Sequence, residues 1–232
     1  MMVVVMISAI AEWKAVKEIF PSLAISPSAY GETLLLNLGG YELKLLHSGW
    51  GKVASAGAIQ HVIDHDRPDL IINLGTCGGF EGVTELGDIL LVERTFIYDI
   101  VELIGDLNIV DYYASTLDLG WLAEPHPYPV RKGMIASADS DLPPEKISYL
   151  KSMGAIAGDW ESAALAWVAK KNAARLLILR GVSDLVSETG GEAYDNLPLY
   201  EERTKVIMRK LFDQLPGWLG CVAPAGSASS HS

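Results

Sequence analysis

The sequence predicts an α/β protein, a single three-layer α/β/α domain built on a central mixed, mainly parallel sheet. Three observations predict it. Runs of β-branched and other apolar residues, bounded by Gly, Asp or Pro, recur at 3–9, 69–74, 88–95, 131–137 and 176–182, and unbroken apolar runs suit strands buried on both faces. Between them, apolar residues fall at helical spacing at 11–20, 52–65, 143–152, 161–172 and 198–215, and strands alternating with helices put helices on both sides of a sheet. No linker-like stretch divides residues 1–219, so the 232-residue chain is read as one domain.

Taken in order, MMVVVMISAIA is apolar but short, lacks a basic leader and runs straight into EWKAVKEIF, which fits a buried first strand and a helix better than a signal peptide. GETLLLNLGGYELKLLHSG alternates around Gly39-Gly40, the pattern of a hairpin. SGWGKVASAG opens the second helix but is not a P-loop, because Leu46 occupies the first Gly position and Val53 follows Lys52. A nucleoside triphosphate is therefore not implied. His61 and His65 lie one turn apart on this helix with no third ligand in the pattern, so they are expected at a solvated helix end and no metal site is expected. In DLIINLGTCGGFEG the strand is expected to end in Gly75-Thr76-Cys77-Gly78-Gly79. That segment reads equally as a tight turn or as a place where backbone N–H groups approach an anion or a sugar at the edge of an open sheet.

Further along, His126 lies in the Pro-rich EPHPYP, and a triad with Ser183 lacks a nucleophile elbow. GDWESAALAWVAKKN sets Asp159 and Glu161 at a helix start, where the helix dipole alone favours acidic residues and where a carboxylate is also placed to accept two sugar hydroxyls. LLILRGVSDLV carries a buried strand into Ser183 and Asp184. SETGGEAYDN, residues 187–196, reads either as a loop that closes over a cleft or as a plain surface connection. The closing VAPAGSASSHS is small, polar and aperiodic, so 220–232 are expected to be a disordered tail.

Composition excludes several functions. A net charge of −11 repels a phosphate backbone, and no basic run interleaved with aromatics offsets it, so nucleic acid is not an expected partner. No run reaches membrane-spanning length, and no membrane association is expected. Two cysteines, Cys77 and Cys221, without CxxC spacing, suggest neither a disulfide framework nor zinc and fit a reducing cytoplasm.

Four segments in order resemble one family. SGWGKVASAGAIQHVIDHDRPDLIINLGTCGGF is similar to the SGxGKVxAA…PDxIINxGxxGG segment of the purine nucleoside phosphorylase and uridine phosphorylase superfamily, with LGDILLVERTFIYD following in the expected place. GDWESAALAWV resembles its xExE-A-A-A element and LRGVSDLV its RxxSD element. Within that superfamily the chain is most like the methylthioadenosine/S-adenosylhomocysteine nucleosidases, over residues 3 to about 215.

This resemblance implies a nucleoside phosphorylase-like fold and cofactor-free cleavage of the N-glycosidic bond of a small-molecule purine nucleoside. By it, Asp184 is the acid that protonates the leaving base, with Ser183 orienting it, and Glu161 grips the ribose hydroxyls. Trp160 replaces the family's usual Met against the sugar, or else packs in the core. Glu12 is the candidate to activate water, although an ungapped match sets Trp13 at the expected position and leaves Glu12 one residue early. Gly75 falls in the family's glycine segment, and Thr76 and Arg180 match positions near the nucleophile. Asp141 stands where the family places an aromatic ring over the purine, which suggests a different stacking partner or base, and backbone groups around Leu142 are placed to read the base edge. The phosphorylase branch resembles RxGSCG, with an Arg that grips phosphate, where this chain has Asn73-Leu74-Gly75-Thr76; water is therefore the expected nucleophile. A homodimer is implied, because family members take part of the 5′ pocket from a partner. The alternatives are a phosphate-dependent phosphorylase, a futalosine-type hydrolase, or an inactive nucleoside-binding module.

Overall fold

A computed structural model describes residues 1–105 and 109–223. In chain order the elements are β1 (Val3–Ile7), α1 (Ile10–Ile19), β2 (Ile25–Pro27), β3 (Glu32–Leu38), β4 (Tyr41–His47), α2 (Gly51–His65), β5 (Leu70–Phe80), β6 (Ile89–Ile97), α3 (Ile109–Tyr113), β7 (Ser115–Thr116), β8 (Arg131–Ser137), a 3-10 turn (Pro144–Lys146) entering α4 (Ile147–Ser152), β9 (Ala155–Asp159), α5 (Ser162–Lys171), β10 (Leu176–Ser187), β11 (Gly190–Gly191) and α6 (Leu197–Gly220).

Alternation along β1 explains the layers. Val3, Val5 and Ile7 point into an apolar core shared with Trp13 and Val16 of α1 and with Met208, Leu211, Phe212 and Leu215 of α6. Val4 and Met6 point the other way, into a core shared with Ile59 and Val62 of α2 and Leu165 and Ala169 of α5. Helices therefore cover both faces, as expected, and β1 lies parallel between β4 and β5. The hairpin forms as read: Leu38 pairs with Tyr41, and Gly39 and Gly40 take φ of 60° and 85°, as a two-residue turn with both φ positive demands.

Two features depart from expectation. The glycine segment does not end the strand but continues β5: Gly75, Thr76 and Cys77 pair with Arg180, Gly181 and Val182 of β10, and Gly78 pairs with Asp184. Both strands are thus longer than their apolar runs, with Ser183 as a bulge that re-aims the residues around it. In addition the sheet closes on itself. β5 pairs with β10, β10 with β6, β6 with β8, β8 with β9, and β9 returns to β5, so one end is a five-strand ring and not an open edge.

Past α6, Val222 bridges to Leu122 and the Ala223 N–H donates to the Trp121 carbonyl at 2.9 Å, so the chain stays docked beyond residue 219. The rest of the expected tail, 224–232, lies outside the described residues. Among the described residues, no helix is long and apolar enough to cross a membrane.

Candidate active site

A cavity of about 590 Å³ opens where β5, β9 and β10 meet the first turn of α1, within the usual size range for small-molecule sites. Glu12, Thr76, Asp141, Leu142, Trp160, Glu161, Ser183 and Asp184 all line it. Gly75 and Arg180, expected against the substrate, lie behind its wall.

The floor is a buried ionic network. Arg180, fully buried on β10, holds Asp159 Oδ2 at 2.9 Å through Nε, Glu161 Oε2 at 3.6 Å through Nη2 and Glu12 Oε1 at 4.0 Å through Nη1. Gly75 permits this arrangement: a Cβ there would collide with Arg180 Nη1 and lie 2.7 Å from Glu12 Oε1. The glycine thus serves close approach of side chains, not the binding of an anion by backbone amides. Asp159, at the end of β9, also accepts from Ser137 Oγ at 2.6 Å and from the Ser162 amide at 3.2 Å, so it caps α5 and braces Arg180.

Glu12 is the third residue of α1. From there its Oε2 reaches back to the Ala9 N–H at 3.0 Å, satisfying a free donor of the helix start, while Oε1 accepts from the Thr76 N–H at 2.6 Å and Thr76 Oγ1 at 2.9 Å. Trp13, one residue on, points to the opposite side. It is 2% exposed, its Nε1 donates to Glu32 at 2.5 Å and its ring stacks on His47. Of the two neighbours, only Glu12 faces the cavity.

Glu161 stands just before α5, and its side chain accepts from the Gly51 N–H at 3.1 Å, which ties it to the start of α2 and leaves the capping of α5 to Asp159. Burial raises its pKa to about 8, outweighing the pull of Arg180. Trp160 does not pack in the core; it lines the cavity and faces Trp50 with ring centroids 6.4 Å apart.

At the other end, Asp184 has one polar partner from a side chain, the Ser183 hydroxyl at 2.9 Å. Burial raises its pKa from its ordinary value, against the lowering effect of that hydroxyl. Leu142, Val186 and Gly78 surround it: a Cβ on Gly78 would sit 3.0 Å from both Leu142 Cδ1 and Val186 Cγ2 and 3.9 Å from Asp184 Oδ2. Asp141 is exposed at the rim.

Sequence reasoning missed Trp50, Tyr194 and Tyr200. Tyr200 lies 3.3 Å from the Thr76 hydroxyl, and Tyr194 donates to the Leu142 carbonyl at 2.7 Å. Tyr194 comes from the 187–196 segment, which contributes to the cavity wall. Its aromatic residue beside paired glycines was the available signal.

Comparison with known proteins identifies the family and the fold. The family described as "Phosphorylase superfamily" matches residues 7–213. A 5′-methylthioadenosine/S-adenosylhomocysteine nucleosidase of Geobacillus kaustophilus is 28% identical over 177 residues, 68% of this chain and 73% of that protein. The same fold is seen in the methylthioadenosine/S-adenosylhomocysteine nucleosidase of Streptococcus pneumoniae bound to 8-aminoadenine, at a TM-score of 0.75 and 18% identity, covering 96% of this chain and 100% of that one. It recurs in the Neisseria meningitidis enzyme bound to methylthio-immucillin-A, at a TM-score of 0.74 and 20% identity, covering 94% and 99%. With its profile matched along nearly the whole domain, the chain belongs to the phosphorylase superfamily.

Proposed function

We propose that the protein is a purine nucleosidase that hydrolyses the N-glycosidic bond of a 5′-modified purine nucleoside, the activity named for its curated relatives. One observation carries this reading: a single cavity presents Glu12, Glu161 and Asp184, and among the described residues lining it none is Lys, Arg or His. The buried cation behind the lining, Arg180, is shared by Glu12, Asp159 and Glu161, so phosphate would meet carboxylates and no free cationic side chain on the lining. Asn73, which stands where the phosphorylase segment has its Arg, is fully buried and donates to the Met6 carbonyl at 3.0 Å, away from the cavity.

The reaction breaks the bond between ribose C1′ and purine N9, and the bonding electrons leave with the purine. Asp184, whose pKa is raised by burial, gives its proton to N7, which neutralises the departing base. Glu161 accepts hydrogen bonds from the ribose hydroxyls and faces the positive charge that develops on the sugar. A water molecule held by Glu12 and Thr76 attacks C1′ and passes its proton to Glu12. Thr76 supplies two donors to Glu12 Oε1, which leaves Oε2 the freer oxygen to take that proton.

The test is release of free base from methylthioadenosine, S-adenosylhomocysteine, adenosine, inosine and futalosine, each with and without phosphate. Release from the first two without phosphate is expected; strict phosphate dependence would make the protein a phosphorylase.

We place the protein in the cytoplasm as a homodimer. Both described cysteines are free, which suits a reducing compartment. Next to the cavity mouth Trp50 is 53% and Val53 86% exposed, an apolar surface suited to a second copy. Light scattering at micromolar concentration is expected to give twice the 25.1 kDa chain mass, and a monomer would refute the dimer.

A further inference from the structure

Two segments of the cavity lining are tied together by one cation that lies outside it. The turn into α2 brings Trp50 to the lining and the Gly51 N–H to Glu161 Oε1 at 3.1 Å. The chain leaving β8 brings Ser140, Asp141 and Leu142 to the lining, with Leu142 near Asp184. Lys52, the second residue of α2, joins the two. Its Nζ lies 3.0 Å from Asp139 Oδ2 and 2.5 Å from Asp99 Oδ2, and its N–H donates to Asp139 Oδ1 at 2.7 Å. Asp99, two residues past β6, also accepts from the Asp139 N–H at 2.9 Å, through the oxygen that holds Lys52. Asp139 is thus bound at its backbone and at both carboxylate oxygens.

This contact requires the glycine before Lys52: Gly51 has a φ of 80°, and a Cβ there would lie 2.7 Å from Asp139 Oδ1. The Lys52 side chain is only 14% exposed, and among the described residues no other Lys, Arg or His pairs with Asp99 or Asp139. We propose that Lys52 is a positioning residue that fixes the spacing between the Glu161 end of the cavity, which takes the ribose, and the Leu142 and Asp184 end, which takes the base. A nucleoside must meet both ends at once, so an error in their spacing falls on the nucleoside and its transition state. A free base meets one end and is indifferent to it. A misplacement of about 1 Å costs up to about 10²-fold in rate.

This inference rests on the nucleosidase reading, and the experiment separates the two. The kcat/KM for methylthioadenosine and the inhibition constant of adenine are measured for the wild type, Lys52→Met, Lys52→Arg and Asp139→Asn. Lys52→Met is expected to lower kcat/KM by about 10- to 10²-fold while the adenine constant stays within about twofold. Lys52→Arg, which keeps the charge, is expected to recover part of that loss. Asp139→Asn changes a residue 42% exposed and keeps an acceptor for the Lys52 N–H, so a fall of about two- to fivefold is expected, the scale of one exposed ion pair. An unchanged kcat/KM in folded Lys52→Met overturns the inference, as does an adenine constant that rises as far as kcat/KM falls, the mark of a merely structural role. Should Lys52→Met not fold, Asp139→Asn with wild-type kcat/KM overturns it. A wild type that adenine does not inhibit overturns it too, since the base must be held at its own end; a wild type that releases no base overturns the nucleosidase reading as well.

Discussion

The two ends of the cavity hold carboxylates in opposite surroundings. At the floor, Glu12, Asp159 and Glu161 share one buried guanidinium, and Glu12 alone accepts three hydrogen bonds. At the other end, Asp184 has a single hydroxyl donor, with Leu142 and Val186 close by. The difference separates Glu12 from Asp184: Glu12, surrounded by donors, is arranged as an acceptor, whereas Asp184, with one donor and apolar neighbours, has its pKa raised by burial.

The contrast can be broken at its floor. Glu12→Gln removes the proton acceptor and is expected to lower kcat by about 10²- to 10⁴-fold, whereas Trp13→Phe, on the opposite side of α1, keeps turnover near the wild-type level. Steady-state rates of the two variants decide between neighbours that the sequence alone left one residue apart. Arg180→Met leaves three carboxylates without their shared cation and is expected to cost about 3–5 kcal/mol in urea unfolding, as removal of one partner from a buried ion pair does. A loss below about 1 kcal/mol would mean that the network is not held by Arg180. Gly75→Ala drives a methyl group between Arg180 and Glu12, and a cost of about 1–3 kcal/mol is expected by the same measurement.

Titration sharpens the comparison. Asp184 and Glu161 both have folded-state pKa values above their unfolded ones of 3.8 and 4.5, so each binds its proton more tightly in the folded protein. Their stabilisation is fully present below those unfolded values and is lost as pH rises through the raised ones, the reverse of an ordinary paired carboxylate. Asp184→Asn cannot lose this contribution, so its stability relative to the wild type should increase as pH rises from 3.8 through the raised value in chemical denaturation; a constant difference would remove the raised pKa. Two ribose hydroxyls donate more strongly to an ionised Glu161 than to a protonated one, so nucleoside binding below pH 8 should release protons, seen as a dependence of binding heat on buffer ionisation. The smallest effect is expected for Trp160→Leu, a rise of several-fold in KM from loss of one aromatic contact near the sugar, about 0.5–1.5 kcal/mol.

Most of the layered fold was legible because it follows from local pattern. β1 and the hairpin at Gly39-Gly40 appear where alternation and turn chemistry put them. Ring closure was not, since it depends on pairings such as β9 with β5, which join residues far apart in sequence. Strand β9 itself escaped notice because AIAGD has small residues and a glycine in place of a β-branched run. The phase of α1, in contrast, was available: Ala9 and Glu12 stand at capping-box spacing, and Trp13 shares a helical face with Val16. That pattern assigns Trp13 to the core and Glu12 to the opposite side. That Glu161 and Asp184 share one cavity followed from their motifs, while Tyr194 was marked only by the paired glycines beside it and Tyr200 sits on a helix whose spacing carries no such mark.

The central claim is tested most directly by measuring free base released from methylthioadenosine in phosphate-free buffer by the wild type and by Asp184→Asn, with melting curves to show both folded. Steady release by the wild type, not accelerated by added phosphate, is expected, together with a fall in kcat of about 10²- to 10⁴-fold in the variant. Equal turnover of the two proteins, or a wild type that is silent until phosphate is supplied, would contradict the account.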